Sequence, residues 1–344
     1  MKFNSGRLYL IFLFSLILFS CSKDSEPGSK EEEPQETIVQ DDYQYVALRN
    51  DGRLFTIGDQ TGEVEDAGRI PGLEFNTIFN TVTSSSENTY IYESWFDLPQ
   101  PRLFIRNRDS GNSKMIELEF PEEFGNIPGL MALDWDESQD NLVGIIRHEY
   151  DLPSIDKPVK IVRIDPVTFE MTVFENLDLN SMGYRNVFSS QLIGQKLYVT
   201  ASKNSELIPS DLLEINLTDK TFRVLAQDNL DNGLLNLGKI PGTNKLQGFS
   251  PQLNSGYTGT VKPYIYDIDS ESLEELASIP RISAIHFAHK TFVHPYNDFM
   301  ISLIGQNGYN LFSFDYSSND FDITPIVNPD DLSTMVAIID VIKL

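Results

Sequence analysis

Residues 162–169, Val162-Arg163-Ile164-Asp165-Pro166-Val167-Thr168-Phe169, contain the repeating unit on which the fold assignment rests. A short β-branched run ends in an acid, and a tight polar turn then leads into another extended segment. The pattern returns at 213–220, 266–273 and 312–319, with turn side chains Asp165, Asn216, Asp269 and Asp315 spaced by 51, 53 and 46 residues. Because an Asp or Asn in this position can close the turn by accepting backbone hydrogen bonds, we expect these side chains to serve the turns first.

A second repeating unit, a polar turn that leads into an apolar strand, shows a similar period. Its copies begin their apolar segments 52, 55, 49 and 53 residues apart, at Tyr90, Leu142, Leu197, Leu246 and Phe299. Degenerate copies of the first unit at 54–58 and 104–107 bring the number of repeats to six. No long segment with helical periodicity follows residue 40, so the sequence predicts an all-β protein.

Six repeats of roughly 51 residues over 41–344 predict a six-bladed β-propeller with four antiparallel strands per blade. The first repeat has only three strands, at 43–47, 53–57 and 62–66, while a spare apolar strand remains at 335–342. We expect this C-terminal strand to become the innermost strand of the first blade and to close the ring. Seven blades, or a two-domain β protein, are the structural alternatives.

The blade pattern resembles that of the six-bladed TolB-like and NHL-like propellers, and the resemblance covers nearly all of 41–344. It implies a fold and leaves the function open, because propellers serve many functions.

The N-terminus has the features of an export signal. Lys2 and Arg7 precede an apolar run at 8–19 that is too short to remain as a membrane-spanning helix. The run ends in Leu18-Phe19-Ser20-Cys21, which resembles a bacterial lipobox, although Phe19 stands where a small residue is usual. The resemblance implies cleavage before Cys21 and attachment to a membrane through acyl chains on Cys21. An ordinary signal peptide with an incidental cysteine is the alternative.

This interpretation divides the chain into three parts: a lipoprotein signal peptide at 1–20, an acylated acidic tether at 21–40, and a single propeller domain at 41–344. The segment 22–36 has no apolar residue, so we expect it to stay disordered. Lys23-Asp24 and the Glu run that follows resemble the export signal of Bacteroidota surface lipoproteins. The resemblance implies outer-membrane attachment and display at the cell surface, with attachment facing the periplasm as the alternative.

The chain is strongly acidic. Its 51 Asp and Glu against 26 Lys and Arg give a formal net charge of −25, and loss of residues 1–20 would make it −27. Such a charge repels phosphate backbones, so nucleic-acid binding is excluded as a function. The single cysteine excludes an internal disulfide or a thiolate metal cage. No cofactor or metal is predicted, and a structural calcium or a channel-bound ion stays open.

The longest connections indicate where a ligand would bind. In a propeller blade, the turns between strands one and two and between strands three and four share one face, which we call the turn face. The connections between strands two and three and those between blades share the other, which we call the loop face. Four long strand-two-to-three connections, at 93–100, 148–157, 203–210 and 250–260, predict binding at the loop face.

Aromatic side chains beside acids and amides in these connections suit a glycan or a peptide. The expected ligand-binding residues are Trp95, Phe96, Asp97, Glu149, Tyr150, Asp151, Gln252 and Tyr257. Folding of the aromatic side chains back over their own loops is the alternative.

Two arginines are expected near the channel on the same face. Ile-Pro motifs at 70–73, 127–130 and 279–282 are predicted to lead from one blade into the next inner strand. Arg281 departs from the glycine of the other copies, and Arg185 precedes another inner strand. Both could bind an anion, or they could neutralise part of the chain's own charge.

The positions of three histidines do not favour a metal site; these are His286, His289 and His294. With an inner strand over 282–288, His286 and His289 would face opposite sides of the sheet. His294 aligns with the turns between the first and second strands of other blades. Asp134, Asp136 and Asp140 resemble the start of a calcium loop but lack its glycine and its final glutamate.

The sequence leaves three functions open. It contains no nucleophile elbow, P-loop or dinucleotide fingerprint. The leading hypothesis is a non-enzymatic surface lipoprotein whose propeller binds a glycan, a peptide or a protein partner. The alternatives are a propeller hydrolase or lyase acting on polysaccharide or lactone at the channel mouth, and a structural subunit of an outer-membrane transport complex.

Overall fold

Small antiparallel sheets make up the part of the chain that the structure describes. The computed structural model describes residues 40–344 apart from residues 50, 74–80, 95–99, 126–127, 149–156, 204–209, 231–233, 254–257, 277–278, 284–291, 298, 306–308 and 328–335. The predictions for the signal peptide and nearly all of the tether lie outside these residues. None of the described segments forms an apolar helix of the length that a bilayer crossing requires.

Each of the six sheets is one blade, whose strands run in order from the inner strand to the outer strand. Blade 1 contains β25 (Val336–Lys343), β1 (Tyr43–Arg49), β2 (Arg53–Gly58) and β3 (Val64–Arg69). Blade 2 contains β4 (Thr81–Ser84), β5 (Asn88–Glu93), β6 (Arg102–Asn107) and β7 (Ser113–Glu117). Blade 3 contains β8 (Gly129–Asp136), β9 (Asn141–Arg147), β10 (Val159–Ile164) and β11 (Met171–Asp178).

The other three blades repeat this order. Blade 4 contains β12 (Asn186–Ile193), β13 (Lys196–Ser202), β14 (Ser210–Asn216) and β15 (Thr221–Leu230). Blade 5 contains β16 (Leu235–Lys239), β17 (Lys245–Leu253), β18 (Thr258–Asp267) and β19 (Ser272–Glu275), with β20 (Ile279–Ser283) as an additional strand on β18. Blade 6 contains β21 (Phe292–Val293), β22 (Phe299–Gly305), β23 (Tyr309–Asp315) and β24 (Asp320–Pro325). Short 3₁₀ turns occupy Glu122–Phe124 and Asn180–Met182.

The blades form a closed ring, which confirms the predicted six-bladed propeller. The inner strands contact one another in the order β25, β4, β8, β12, β16, β21 and again β25. As predicted, the C-terminal strand β25 pairs antiparallel with β1 and supplies the inner strand of blade 1. Closure joins the first blade to the last, so every inner strand has a neighbouring inner strand on both sides.

The core lies between neighbouring blades rather than at one centre. The described apolar side chains form six clusters, one at each interface between consecutive blades. For example, Val46 and Leu48 of blade 1 pack with Ile91 and Phe104 of blade 2. Each blade therefore buries both faces of its sheet, which explains the nearly continuous apolar runs in the middle strands.

The turns between third and fourth strands use the chemistry that the sequence predicts. The Asp165 carboxylate accepts the N–H groups of Val167 and Thr168 at 2.7 and 3.0 Å, and Phe169 adopts a positive φ of 64°. In blade 5, however, the side chain that accepts the turn N–H groups is Asp267, not the predicted Asp269. The prediction of Asp269 was wrong. The sequence alternates acidic and apolar residues here, so both Asp267 and Asp269 fit the turn pattern, but β18 ends at Asp267.

Blade 1 replaces the missing turn side chain with one from the N-terminal segment. Gly58 stands where other blades have Asp or Asn, and Asp41 accepts the N–H groups of Gln60 and Thr61, each at 2.8 Å. A Cβ on Gly58 would lie 2.2 Å from the Asp41 carboxylate, so the glycine makes room for this substitute.

Two predictions in blades 5 and 6 were wrong. The connection expected over 250–260 is much shorter, since β17 and β18 extend through it and Gln252 pairs with Thr260. The Ile279–Ser283 segment does not lead into an inner strand but pairs with the first half of β18. The inner strand of blade 6 is accordingly β21, whereas the sequence predicts it at 282–288.

Candidate functional site

A cavity of about 490 Å³ lies at the mouth of the central channel on the turn face. It is lined by the ends of four inner strands and the turns after them: Thr83 and Ser84 in blade 2, residues 134–138 in blade 3, residues 191–194 in blade 4, and Lys239 in blade 5. These strands run from the loop face to the turn face, so their last side chains converge at one end of the channel.

Two buried aspartates of β8 join blades 3 and 4 at the cavity wall. Asp134 is 4% exposed and accepts a short hydrogen bond from the Ser190 hydroxyl of β12. Asp136 is 2% exposed and accepts hydrogen bonds from Ser138 Oγ at 2.6 Å and from Gln195 Nε2 at 3.0 Å. These bonds satisfy both carboxylates with groups of the protein and hold the wall rigid.

The rim of the cavity offers charged groups of both signs. Glu137 and Lys239 have exposed side chains, and neither forms an ion pair within the described part of the chain. Gln191 lies between them on β12, and its Oε1 accepts the backbone N–H of Lys239 at 3.3 Å. A ligand in the cavity can therefore meet a carboxylate, an ammonium group and an amide within one small volume.

Trp135 provides an apolar surface in the same lining. Its ring is half-buried and stacks on that of Tyr90, with centroids 5.2 Å apart and an interplanar angle of 10°. Burial raises the pKa of Tyr90, so this phenol stays neutral. An indole beside carboxylates, hydroxyls and an amide is an arrangement that suits a polar ligand with an apolar face, such as a sugar ring.

Most of the residues predicted to bind ligand lie outside the described part of the chain. This applies to Trp95, Phe96, Asp97, Glu149, Tyr150, Asp151 and Tyr257, and also to the predicted lipidation site Cys21. Gln252 lies in β17 opposite Thr260, and Arg281 lies in β20, at an irregularity of its pairing with β18. The backbone thus places Gln252 and Arg281 in strands of blade 5 rather than in connections.

Arg185 lies at the loop-face end of the channel, directly before β12. Its backbone N–H donates to the Ser202 carbonyl at 3.0 Å, and its side chain is half-buried. Next to it, the buried Tyr184 hydroxyl donates to Asp211 at 2.6 Å, and Lys203 Nζ lies 3.3 Å from the same carboxylate. The structure therefore separates Arg185 from the cavity by the length of β12.

His294 has the turn position that the sequence predicts. It follows β21, and its Nδ1 accepts the N–H groups of Tyr296 and Asn297 at 3.2 and 3.1 Å. Among the described residues, no three His, Cys, Asp or Glu side chains come together as a metal site would require. Asp134 and Asp136 instead accept hydrogen bonds across the seam between blades 3 and 4.

Sequence reasoning missed Trp135, Glu137, Gln191 and Lys239. The available signal was their position, since each lies at or close to the end of an inner strand. The prediction from loop length favoured the loop face, because long connections are visible in a sequence, whereas a cavity between short turns is not.

The comparisons with known proteins concern the fold. No protein-family model and no curated protein sequence matches the chain. A solved prolyl endopeptidase is 11% identical, with 84% of this chain and 51% of that chain covered and a TM-score of 0.44. An exo-β-1,3-galactanase from Phanerochaete chrysosporium is 12% identical, with 78% and 67% covered and a TM-score of 0.48. The β-propeller domain of the Trilobed protease from Pyrococcus furiosus is 11% identical, with 74% and 73% covered and a TM-score of 0.40.

The chain spans about half the length of that prolyl endopeptidase. Identities of 11–12% transfer no activity to this protein. The protein is a six-bladed β-propeller with a polar cavity at one end of its channel.

Proposed function

We propose that this chain is an exported lipoprotein, anchored through Cys21 to the outer membrane and displayed at the cell surface, whose propeller binds an oligosaccharide in the channel-mouth cavity. The observation that carries the binding proposal is the cavity of about 490 Å³, to which four blades contribute. This volume lies within the range of roughly 300–1,000 Å³ that is typical of small-ligand sites.

The lining favours a glycan over an apolar ligand. Carboxylate, hydroxyl and amide groups can hydrogen-bond to sugar hydroxyls, while the Trp135 ring offers an apolar surface beside them. The wall is preorganised, because Asp134 and Asp136 are already fixed by hydrogen bonds across the blade seam. A rigid wall of this kind lowers the entropy cost of binding.

The same bonds support binding rather than catalysis. Asp134 and Asp136 are the buried acids of the cavity, and both have structural partners on blade 4. A glycosidase would require a pair of carboxylates directed at the scissile bond. The exposed Glu137 is then the acid best placed to contact ligand directly.

A glycan array probed with the purified chain, followed by calorimetry on the best ligand, tests the proposal. We expect Glu137→Gln and Lys239→Gln each to weaken binding about tenfold, the effect of losing one hydrogen bond to a charged group. Glu119→Gln and Lys157→Gln are matched controls, since both residues are exposed and lie in loop-face connections.

Unchanged affinity in both Glu137→Gln and Lys239→Gln would place the site elsewhere, and weaker binding by Lys157→Gln would favour the loop-face connection predicted at 148–157. Chemical turnover of a bound glycan, lost in Glu137→Gln, would replace the binding proposal with an enzymatic one. Incorporation of labelled fatty acid, lost in Cys21→Ser, tests the anchor.

A further inference from the structure

The chain joins the propeller on the turn face. β1 is the second strand of blade 1, so its first residue, Tyr43, lies at the turn face and its last, Arg49, at the loop face. Gln40, Asp41 and Asp42 precede β1 directly, and they are therefore located at the turn face as well.

Hydrogen bonds fix this junction. Asp41 accepts from the Thr61 hydroxyl at 2.7 Å in addition to the two backbone N–H groups of the turn after β2. The Asp42 N–H donates to the Asp59 carboxylate at 3.0 Å, and the Asp42 carbonyl accepts from the Leu344 N–H at 3.0 Å. The tether is therefore attached to the turn face of blade 1, because these bonds hold the chain there.

The cavity opens on this same face. Asp136, Ile193 and Lys239 are the last residues of β8, β12 and β16, and each is followed by a turn of the turn face. The junction and the cavity mouth therefore share one end of the propeller.

The length of the tether bears on which face of the propeller lies nearer the membrane. From Ser22 to Gln40 the chain has 19 residues, and the disorder predicted from their composition gives this segment a root-mean-square length of about 24 Å. The seven residues of β1 make each blade about 23 Å high. To turn the loop face toward the membrane, the tether would first have to run along a whole blade, a distance close to its root-mean-square length, whereas the turn face can approach the membrane without that extension.

We infer that the turn face is the membrane-proximal face of the anchored propeller, so that the cavity takes its ligand from the membrane side. This inference rests on the proposed anchoring through Cys21. The loop face, with the long connections that the sequence predicts to bind ligand, then points away from the membrane.

Energy transfer from single labelled sites to an acceptor on lipid headgroups tests the orientation. Cys21 is the only cysteine and is blocked by acylation, so a new cysteine is the only free thiol. Lys239→Cys places a donor fluorophore on the turn face and Lys157→Cys places one on the loop face, both at exposed positions. Glu137→Cys and Glu119→Cys form a second pair in case one labelled variant fails to fold.

The lipidated full chain is reconstituted in phosphatidylcholine vesicles. Uncharged vesicles are used because the described turns of the turn face contain eleven Asp and Glu against two Lys and Arg and would be repelled by anionic lipid. We expect about twofold higher transfer efficiency from the turn-face label, given a height difference of about 20 Å between the labels.

Equal or reversed efficiencies in protein that floats with the vesicles would overturn this inference and leave the anchoring intact. Protein that does not float with the vesicles would overturn the anchoring and, with it, the orientation.

Discussion

Replacement of His294 should remove an acid-dependent loss of stability from the seam between blades 6 and 1. The ring of His294 is fully buried, and its centroid lies 4.5 Å from that of Tyr43 and 6.0 Å from that of Tyr45, both of which belong to blade 1. Nδ1 accepts two backbone N–H groups, so the neutral ring carries its proton on Nε2. Burial lowers the pKa of His294 to about 4.

The sign and size of the effect follow from linkage. In the unfolded chain the pKa is about 6.5, so as the pH falls below this value the unfolded state binds a proton that the folded state does not accept until about pH 4. Stability is therefore lost as the pH falls from 6.5 to 4 and changes no further through this group below that range. A pKa lowered from about 6.5 to about 4 corresponds to a loss of at most about 3 kcal/mol, of which about 2 kcal/mol occurs by pH 5.

Urea unfolding of the purified chain between pH 8 and pH 5 measures this loss. His294→Asn keeps an acceptor for the Tyr296 and Asn297 N–H groups, as Asp165 does in its own turn, but cannot titrate. We expect the variant to be less stable at pH 8, because it leaves space among the aromatic rings, yet to lose about 2 kcal/mol less on acidification. The reasoning is refuted if His294→Asn and the parent chain lose the same free energy of unfolding between pH 8 and pH 5.

Two further predictions concern contacts made by blade 1. Arg108 forms a two-pronged ion pair with the buried Asp340 of β25, at 2.5 and 2.8 Å, so Arg108→Gln should lower the free energy of unfolding by about 3 kcal/mol. The double variant with Asp340→Asn should recover part of that loss in the same denaturation assay, and an additive loss would show that the two residues do not interact. Gly58→Ala should destabilise the chain by about 1–3 kcal/mol through its clash with Asp41, whereas Gly58→Ala combined with Asp41→Ala should be milder than the sum of the two changes.

Local signals explain why so much of the fold could be read from the residues alone. An Asp or Asn that ends a strand and a polar turn that starts the next one act within about five residues, so their period is visible without tertiary contacts. The ring closure by β25 was also predictable, since a spare apolar strand at the end matches a missing strand at the start. The error at Asp269 shows the limit of this reasoning, because two acids in an alternating segment fit the same turn pattern and the backbone selects Asp267.

The amino-acid sequence alone therefore specified an all-β chain, its six blades and the strand that closes them, because strand alternation and turn chemistry are local properties. Only the folded chain shows the cavity and the hydrogen bonds that Asp134 and Asp136 make between blades 3 and 4. The same is true of Asp41, which replaces a turn side chain at Gly58, and of the face that the cavity shares with the N-terminal junction. Each of these depends on residues from different blades, or from distant parts of one blade, that the closed ring brings together. No spacing within the sequence encodes such a meeting, because it is the packing of blade against blade that sets which strand ends converge.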